Sequence, residues 1–197
     1  VKVAEAIVKA WNSRQPGSIT WGLSHAVVGN NRRVSYADGS AGMSSKTNVP
    51  EFRSVEGYED HDVNLIFVWD HNKKLMAISI DLACPAQEVE GRAAVNADYW
   101  HPVREKLKKQ FGDNLCVMGW IAAAGDHTPH LMYRQASDDR MREFRKLSRM
   151  DEIARRIVNA VNEAYEAVKE DGRPSIMMVH KVETLTLPMR VVTDEEY

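Results

Sequence analysis

Two apolar runs, Val63–Trp69 and Leu75–Leu82, are separated by only five residues, Asp70-His-Asn-Lys-Lys74. Such a spacer is long enough for a hairpin connection, so the runs read as neighbouring antiparallel strands. Their near-continuous apolarity predicts strands covered on both faces. The rest of the chain is arranged around this hairpin. Val3, Ala4, Ile7, Val8 and Trp11 recur at helical spacing over residues 2–12, and Pro16-Gly17 ends that helix. Ile19–Val28 reads as a half-buried strand. Ala97–Phe111 is amphipathic through Val103, Leu107 and Phe111, with Gly112 placed to cap it. Leu115–Ile121 is a second buried strand, which puts Cys116 in the core. Ser137–Leu147 is a helix, and Ser148-Arg-Met-Asp151 is a capping signal for the next one. That helix carries a stripe of Ile153, Ile157, Val161, Ala164 and Val168, and Gly172 and Pro174 stop it. Ile176–Leu187 closes the series as a strand.

Helices alternating with buried strands predict an α/β fold with a mixed sheet flanked by helices. Residues 29–62 interrupt this order. Gly, Asn, Ser, Asp and Pro dominate there, apolar periodicity vanishes, and the stretch reads as one long irregular loop, with Tyr36 and Phe52 to pack it. At 197 residues the expected organisation is one domain over 1–197, large enough to bury a core without staples. The 26 basic and 28 acidic residues leave a net charge of −2, which argues against a general nucleic-acid binder. No apolar run has the length of a membrane span. The chain opens on Val1 without Met, and Thr193–Tyr197 resembles a helix start, so it reads as an incomplete piece of a longer chain.

The densest chemistry lies just after the strand 115–121, in Gly125-Asp126-His127-Thr128-Pro129-His130. Ligand sites of α/β sheets gather at the carboxyl ends of strands. Here a hydroxyl, a carboxylate and two imidazoles sit between a permissive Gly and a stiffening Pro. Thr128 is a candidate nucleophile, Asp126 an orienting carboxylate, and His127 and His130 candidate proton carriers or metal ligands. The same residues are also ordinary turn chemistry, with side chains satisfying backbone groups. Pro129 between the histidines excludes a helical metal-binding pair. Arg32-Arg33 is either an anion clamp or a solvated pair. Cys84 is a nucleophile or metal ligand only if its thiolate is stabilised, and otherwise a small core hydrophobe. The Arg-rich stretch 134–156, interleaved with acids, reads as a solvated helical face. Met132, Met141, Met150, Met177 and Met178 read as packing filler.

Taken in order, four motifs resemble neutral/alkaline (non-lysosomal) ceramidases. Gly125–His130 is similar to that family's Gly-Asp-Val-Ser-Pro-Asn. Asn31-Arg32, followed by Asn48-x-Pro50 and Arg53, is similar to its Asn-Arg-Ser…Asn-Pro…Arg stretch. Leu82-Ala83-Cys84-Pro85 stands where the family has Phe-Ala-Val-His. Val95-Asn96-Ala97-Asp98-Tyr99 is similar to its step into a helix. Spacing agrees from about residue 19 to about residue 130.

The resemblance implies a zinc-assisted amide hydrolase with Thr128 at the serine position, Asp126 at the hexapeptide aspartate, and Asn31 and Arg32 toward substrate. It implies a divergent, bacterial branch, a lipid-like or other small-molecule substrate, and a secreted or periplasmic place. It also implies departures. Pro85 falls where a zinc histidine is expected, other family ligands fall outside the chain, and Cys84 is the weak substitute. Two functions are therefore weighed: a hydrolase cleaving an amide or ester bond, with His127 and His130 moving protons, and a non-catalytic binding or scaffold domain that has lost the zinc site.

Overall fold

The structure, a computed structural model, describes residues 2–196. Helix α1 (Lys2–Asn12) precedes β1 (Gly17–His25), followed by the short strands β2 (Asn30–Asn31), β3 (Arg33–Tyr36), β4 (Ala41–Met43) and β5 (Phe52–Val55). The hairpin is β6 (Asp62–Asp70) and β7 (Leu75–Leu82). Then come α2 (Trp100–Phe111), β8 (Cys116–Ile121), β9 (His127–Thr128), α3 (Gln135–Phe144) and α4 (Arg149–Val168). The main sheet has the order β1-β6-β7-β8, antiparallel except for the parallel pair β7–β8, which α2 connects. The α/β class and the mixed sheet are as read from the sequence.

The hairpin is covered on one face, not two. Along β6, Val63, Leu65, Phe67 and Trp69 are buried, while Asn64, Ile66 and Val68 are exposed. Pairing carries that alternation across the sheet. Thr20, Phe67, Ile78 and Val117 form one inward row, and Trp21, Ile66, Ser79 and Met118 the adjacent outward row. The apolar outward residues hid the period of two in the sequence. Cys116 begins β8 on the outward side, so it is exposed and not core. The rest of β8 is largely exposed too, only Val117 being buried.

Helices α2 and α4 cover the inner face. Val103 and Leu107 of α2 and Ile153, Ile157, Val161 and Ala164 of α4 share one buried cluster with the inward strand residues. Tyr165 joins the layers, edge-on to Phe67 at 6.0 Å and stacked on Trp69 at 5.6 Å. The capping signal operates as read: Ser148 Oγ accepts the Asp151 N–H at 3.1 Å. Gly112 ends α2 with φ of 111°, a conformation that favours glycine. Of the methionines read as filler, Met150 packs against the core, whereas Met141, Met177 and Met178 are exposed.

Residues 29–62 are more regular than expected. They hold β2 and the three-stranded sheet β4-β3-β5, built around fully buried Val34. Strands of two to four residues are too short to show a periodicity. The strand expected at Ile176–Leu187 is absent among the described residues. Arg173 bridges Ile19 on the free edge of β1 in antiparallel register, so the chain beyond it passes the end of that strand and finds no ladder. No described helix is long and apolar enough to cross a membrane.

One-sided burial sets an expected contrast. Phe67→Ala should cost about 3–5 kcal/mol in urea unfolding, as for a large buried aromatic. Its neighbour Ile66→Ala should cost less than about 1 kcal/mol. Equal costs would contradict the assignment of inner and outer faces.

Candidate functional site

The parallel pair β7–β8 places two carboxyl-terminal strand ends side by side, and Ala122 N–H donates to Leu82 O at 3.1 Å there. The hexapeptide 125–130 follows at this end. It is anchored on the segment after β1 by the two-residue ladder β2–β9, in which Asn30 faces Thr128 and Asn31 faces His127. Arg32 N–H donates to Asp126 O at 2.8 Å and extends the ladder. Partners directly opposite share a face. Asn30 and Thr128 thus occupy one face, Asn31 and His127 the other.

Side chains complete the attachment. Fully buried Asn31 donates from Nδ2 to Asp126 Oδ2 at 2.8 Å, while its Oδ1 accepts the Arg33 N–H at 2.8 Å. Its own N–H donates to Glu59 Oε1 at 3.0 Å. His127, also buried, lies with Nδ1 2.9 Å from Asp126 Oδ1, off the line of a good hydrogen bond. Its Nε2 accepts the Asp60 N–H at 3.4 Å, an arrangement that calls for the hydrogen on Nδ1. Arg32 Nη2 donates to Gly125 O at 3.1 Å, and its buried Nε has no partner among the described residues.

The structure therefore brings Asn31, Arg32, Asp126 and His127 together. Thr128 adjoins them but is 4% exposed, and its Oγ accepts the backbone N–H of His130 at 3.2 Å. The His130 ring turns away to acids, 3.7 Å from Glu88 and 3.6 Å from Glu90.

Sequence reading missed four participants. Glu59 and Asp60 lie in a stretch without periodicity. Gly57 and Gly29 are needed for close approach: a Cβ on Gly57 would stand 2.5 Å from Asn31 Nδ2, and one on Gly29 would stand 2.3 Å from Ala83 O. Their only signal was the presence of glycine in a loop.

The Arg-rich stretch is a part-buried network, not a solvated face. Glu152, 1% exposed, receives Arg155 at 2.7 and 2.9 Å, Arg156 at 3.0 Å and Arg145 at 3.3 Å. The Arg155 hydrogen bonds, with help from Arg156, overcome burial and hold the Glu152 carboxyl down at about 2. Arg149 ties this network to the hexapeptide, bonding Asp138 at 2.9 Å, Glu88 at 3.1 Å and Pro129 O at 2.8 Å.

The residues present do not fit a zinc ion. Cys84 is fully buried, its thiol pushed up to about 12 chiefly by burial, and its Sγ donates to Pro85 O at 3.5 Å. Among the described residues no three His, Cys, Asp or Glu side chains are grouped to hold a metal.

No protein-family model and no curated protein sequence matches this chain. Solved structures do. Neutral ceramidase from Pseudomonas aeruginosa superimposes with a TM-score of 0.58 at 15% identity, over 85% of this chain and 25% of that one. A ceramidase complexed with C2 gives a TM-score of 0.53 at 13% identity, over 79% of this chain and 23% of its own. The chain has the fold of a part of these ceramidases and spans about a quarter of their length.

Two outcomes test this geometry. Gly57→Ala should cost about 1–3 kcal/mol by crowding Asn31 off Asp126, and it should speed hydrogen exchange at the His127 amide. Gly91→Ala, where an added Cβ meets nothing within 4 Å, should do neither. The second outcome concerns pH. The folded state holds the Glu152 proton less tightly than the unfolded chain, so the unfolded chain binds more protons as pH falls. Stability should then drop between the ordinary value of 4.5 and about 2, and Glu152→Gln should flatten that part of the unfolding profile.

Proposed function

We propose that this chain is part of an amide hydrolase of the neutral ceramidase kind, contributing an alcohol at Thr128 and a substrate-orienting guanidinium at Arg32. The single observation that carries the reading is the attachment of Gly125–His130 to Asn31-Arg32, which sets the part-exposed Arg32 guanidinium beside the hexapeptide. A guanidinium presents several donors in a planar fork, and one so placed suits a substrate oxygen. The ceramidase fold, and with it the position of the hexapeptide at a strand end, supports the same reading.

In this reading each residue has one task. Asn31 holds the Asp126 carboxylate, and Asp126 with His127 fixes the loop backbone. Arg32 orients the acyl oxygen. Thr128 Oγ attacks the acyl carbon from the ladder face it shares with Asn30, the C–N bond breaks, and the hydroxyl proton goes to the departing amine. A water then hydrolyses the Thr128 ester to release the acid, with His130 carrying protons once its ring turns from Glu88 and Glu90 toward Thr128. The substrate class is an N-acyl amide, with a lipid-like amide such as ceramide as the first to try. The resemblance also implies zinc.

The test is acyl release. The protein carrying this chain is mixed with ceramide in detergent micelles and free fatty acid is measured. Thr128→Ala should lower kcat by a factor of about 100 or more, and Arg32→Gln should chiefly raise KM. Undiminished turnover in Thr128→Ala would remove the alcohol from the mechanism. Tight amide binding without any acyl release would favour a binding domain instead.

A further inference from the structure

Next to the β2–β9 ladder lies a solvent-open cavity of about 340 Å³, with Asn30 in its wall. Four arginines, Arg134, Arg145, Arg155 and Arg156, line it against two acids, Asp138 and Glu152. That leaves an excess of two positive charges in one concave space. Glu152 does not neutralise the group so much as organise it. Its two carboxylate oxygens are filled by Arg145, Arg155 and Arg156, and Asp138 takes Arg156 at 2.6 Å and Arg149 at 2.9 Å. Both acids are already paired, Glu152 through four guanidinium contacts and Asp138 through two, and neither pairs with Arg134.

The remaining guanidinium donors are concentrated on two residues. Arg134 makes no ion pair among the described residues, and its guanidinium lies 4.7 Å over the Tyr133 ring. Arg145 holds Glu152 by a single contact at 3.3 Å and is otherwise open. Guanidinium is a planar multiple donor that matches carboxylate and phosphate oxygens. The remaining wall is partly apolar, through Val27, Leu131 and Met141. A pocket with a fixed cationic floor and an apolar side suits an amphiphilic anion.

We infer that this cavity binds the anionic head of a small ligand, a carboxylate or a phosphate, with a short apolar stem laid against Leu131 and Met141. The inference stands on the cavity and its arginines, and it requires no chemistry at Thr128. It holds or fails whether or not the chain belongs to a hydrolase.

Calorimetric titration of the protein carrying this chain at low salt with hexanoate, inorganic phosphate and hexanol tests it. Hexanoate should bind, hexanol should not, and raised salt should weaken binding. The double variant Arg134→Gln/Arg145→Gln should weaken hexanoate about tenfold or more. It spares the Arg155 and Arg156 contacts that hold Glu152, and unchanged circular dichroism checks its fold. Arg140→Gln, an arginine stacked on Phe144 and not in the cavity wall, should leave affinity unchanged. Hexanoate tighter than phosphate assigns a carboxylate with a stem. Phosphate binding alone would keep the anion site and overturn the stem. Hexanol binding as well as hexanoate, no binding of either anion, or equal affinity in the double variant would overturn the inference.

Discussion

A buried side-chain amide joins two segments of chain 95 residues apart: Asn31 donates to Asp126 while its carbonyl takes the Arg33 amide. The Nδ2, Oδ1 and backbone N–H of Asn31 all have partners in this buried place, and losing either side would leave a polar group without one. The position of Arg32 follows from it, because Arg32 is the next residue and its N–H meets Asp126 O. The face on which Thr128 sits follows too, since the register that pairs Asn31 with His127 pairs Asn30 with Thr128. Gly57 is the steric condition for this contact, and Glu59 holds the Asn31 backbone in place.

A second level of organisation is ionic. Arg149 at the start of α4 reaches Pro129 O in the hexapeptide, Glu88 after β7 and Asp138 on α3. Arg156, two turns further along the same side of α4, reaches Val27 O and Asp138. The helix that seals the inner face of the sheet therefore also braces the loops at the carboxyl end of β7 and β8. Removing one member of such a part-buried network leaves charges without partners, so its cost exceeds that of an exposed pair. The outer face of the sheet carries Trp21, Leu23, Ile66, Met118 and Trp120 in contact with solvent.

The fold class, the β6–β7 hairpin and the bounds of α1 and α2 to within a few residues were legible from apolar spacing, and α4 from its serine cap and its stripe. The two-sided burial of the hairpin was not. Ile66 and Val68 are β-branched residues at outward positions, and they make a one-sided strand look like a two-sided one. The strand expected at 176–187 failed for a different reason: a strand needs a neighbour, and composition cannot say whether an edge is within reach. At the site, the hexapeptide stood out by residue type, and its link to Asn31-Arg32 came through the family resemblance. Glu59, Asp60 and Gly57 were illegible, since a polar loop residue signals nothing until its partner is known.

The most direct test of the account is a double-mutant cycle on Asn31 and Asp126, using Asn31→Ala, Asp126→Ala and the pair, each unfolded in urea. The account predicts a coupling energy of about 1–3 kcal/mol between the two positions. Effects that add to within about 0.3 kcal/mol would contradict it, because the hexapeptide would then owe nothing to the contact on which the site geometry rests.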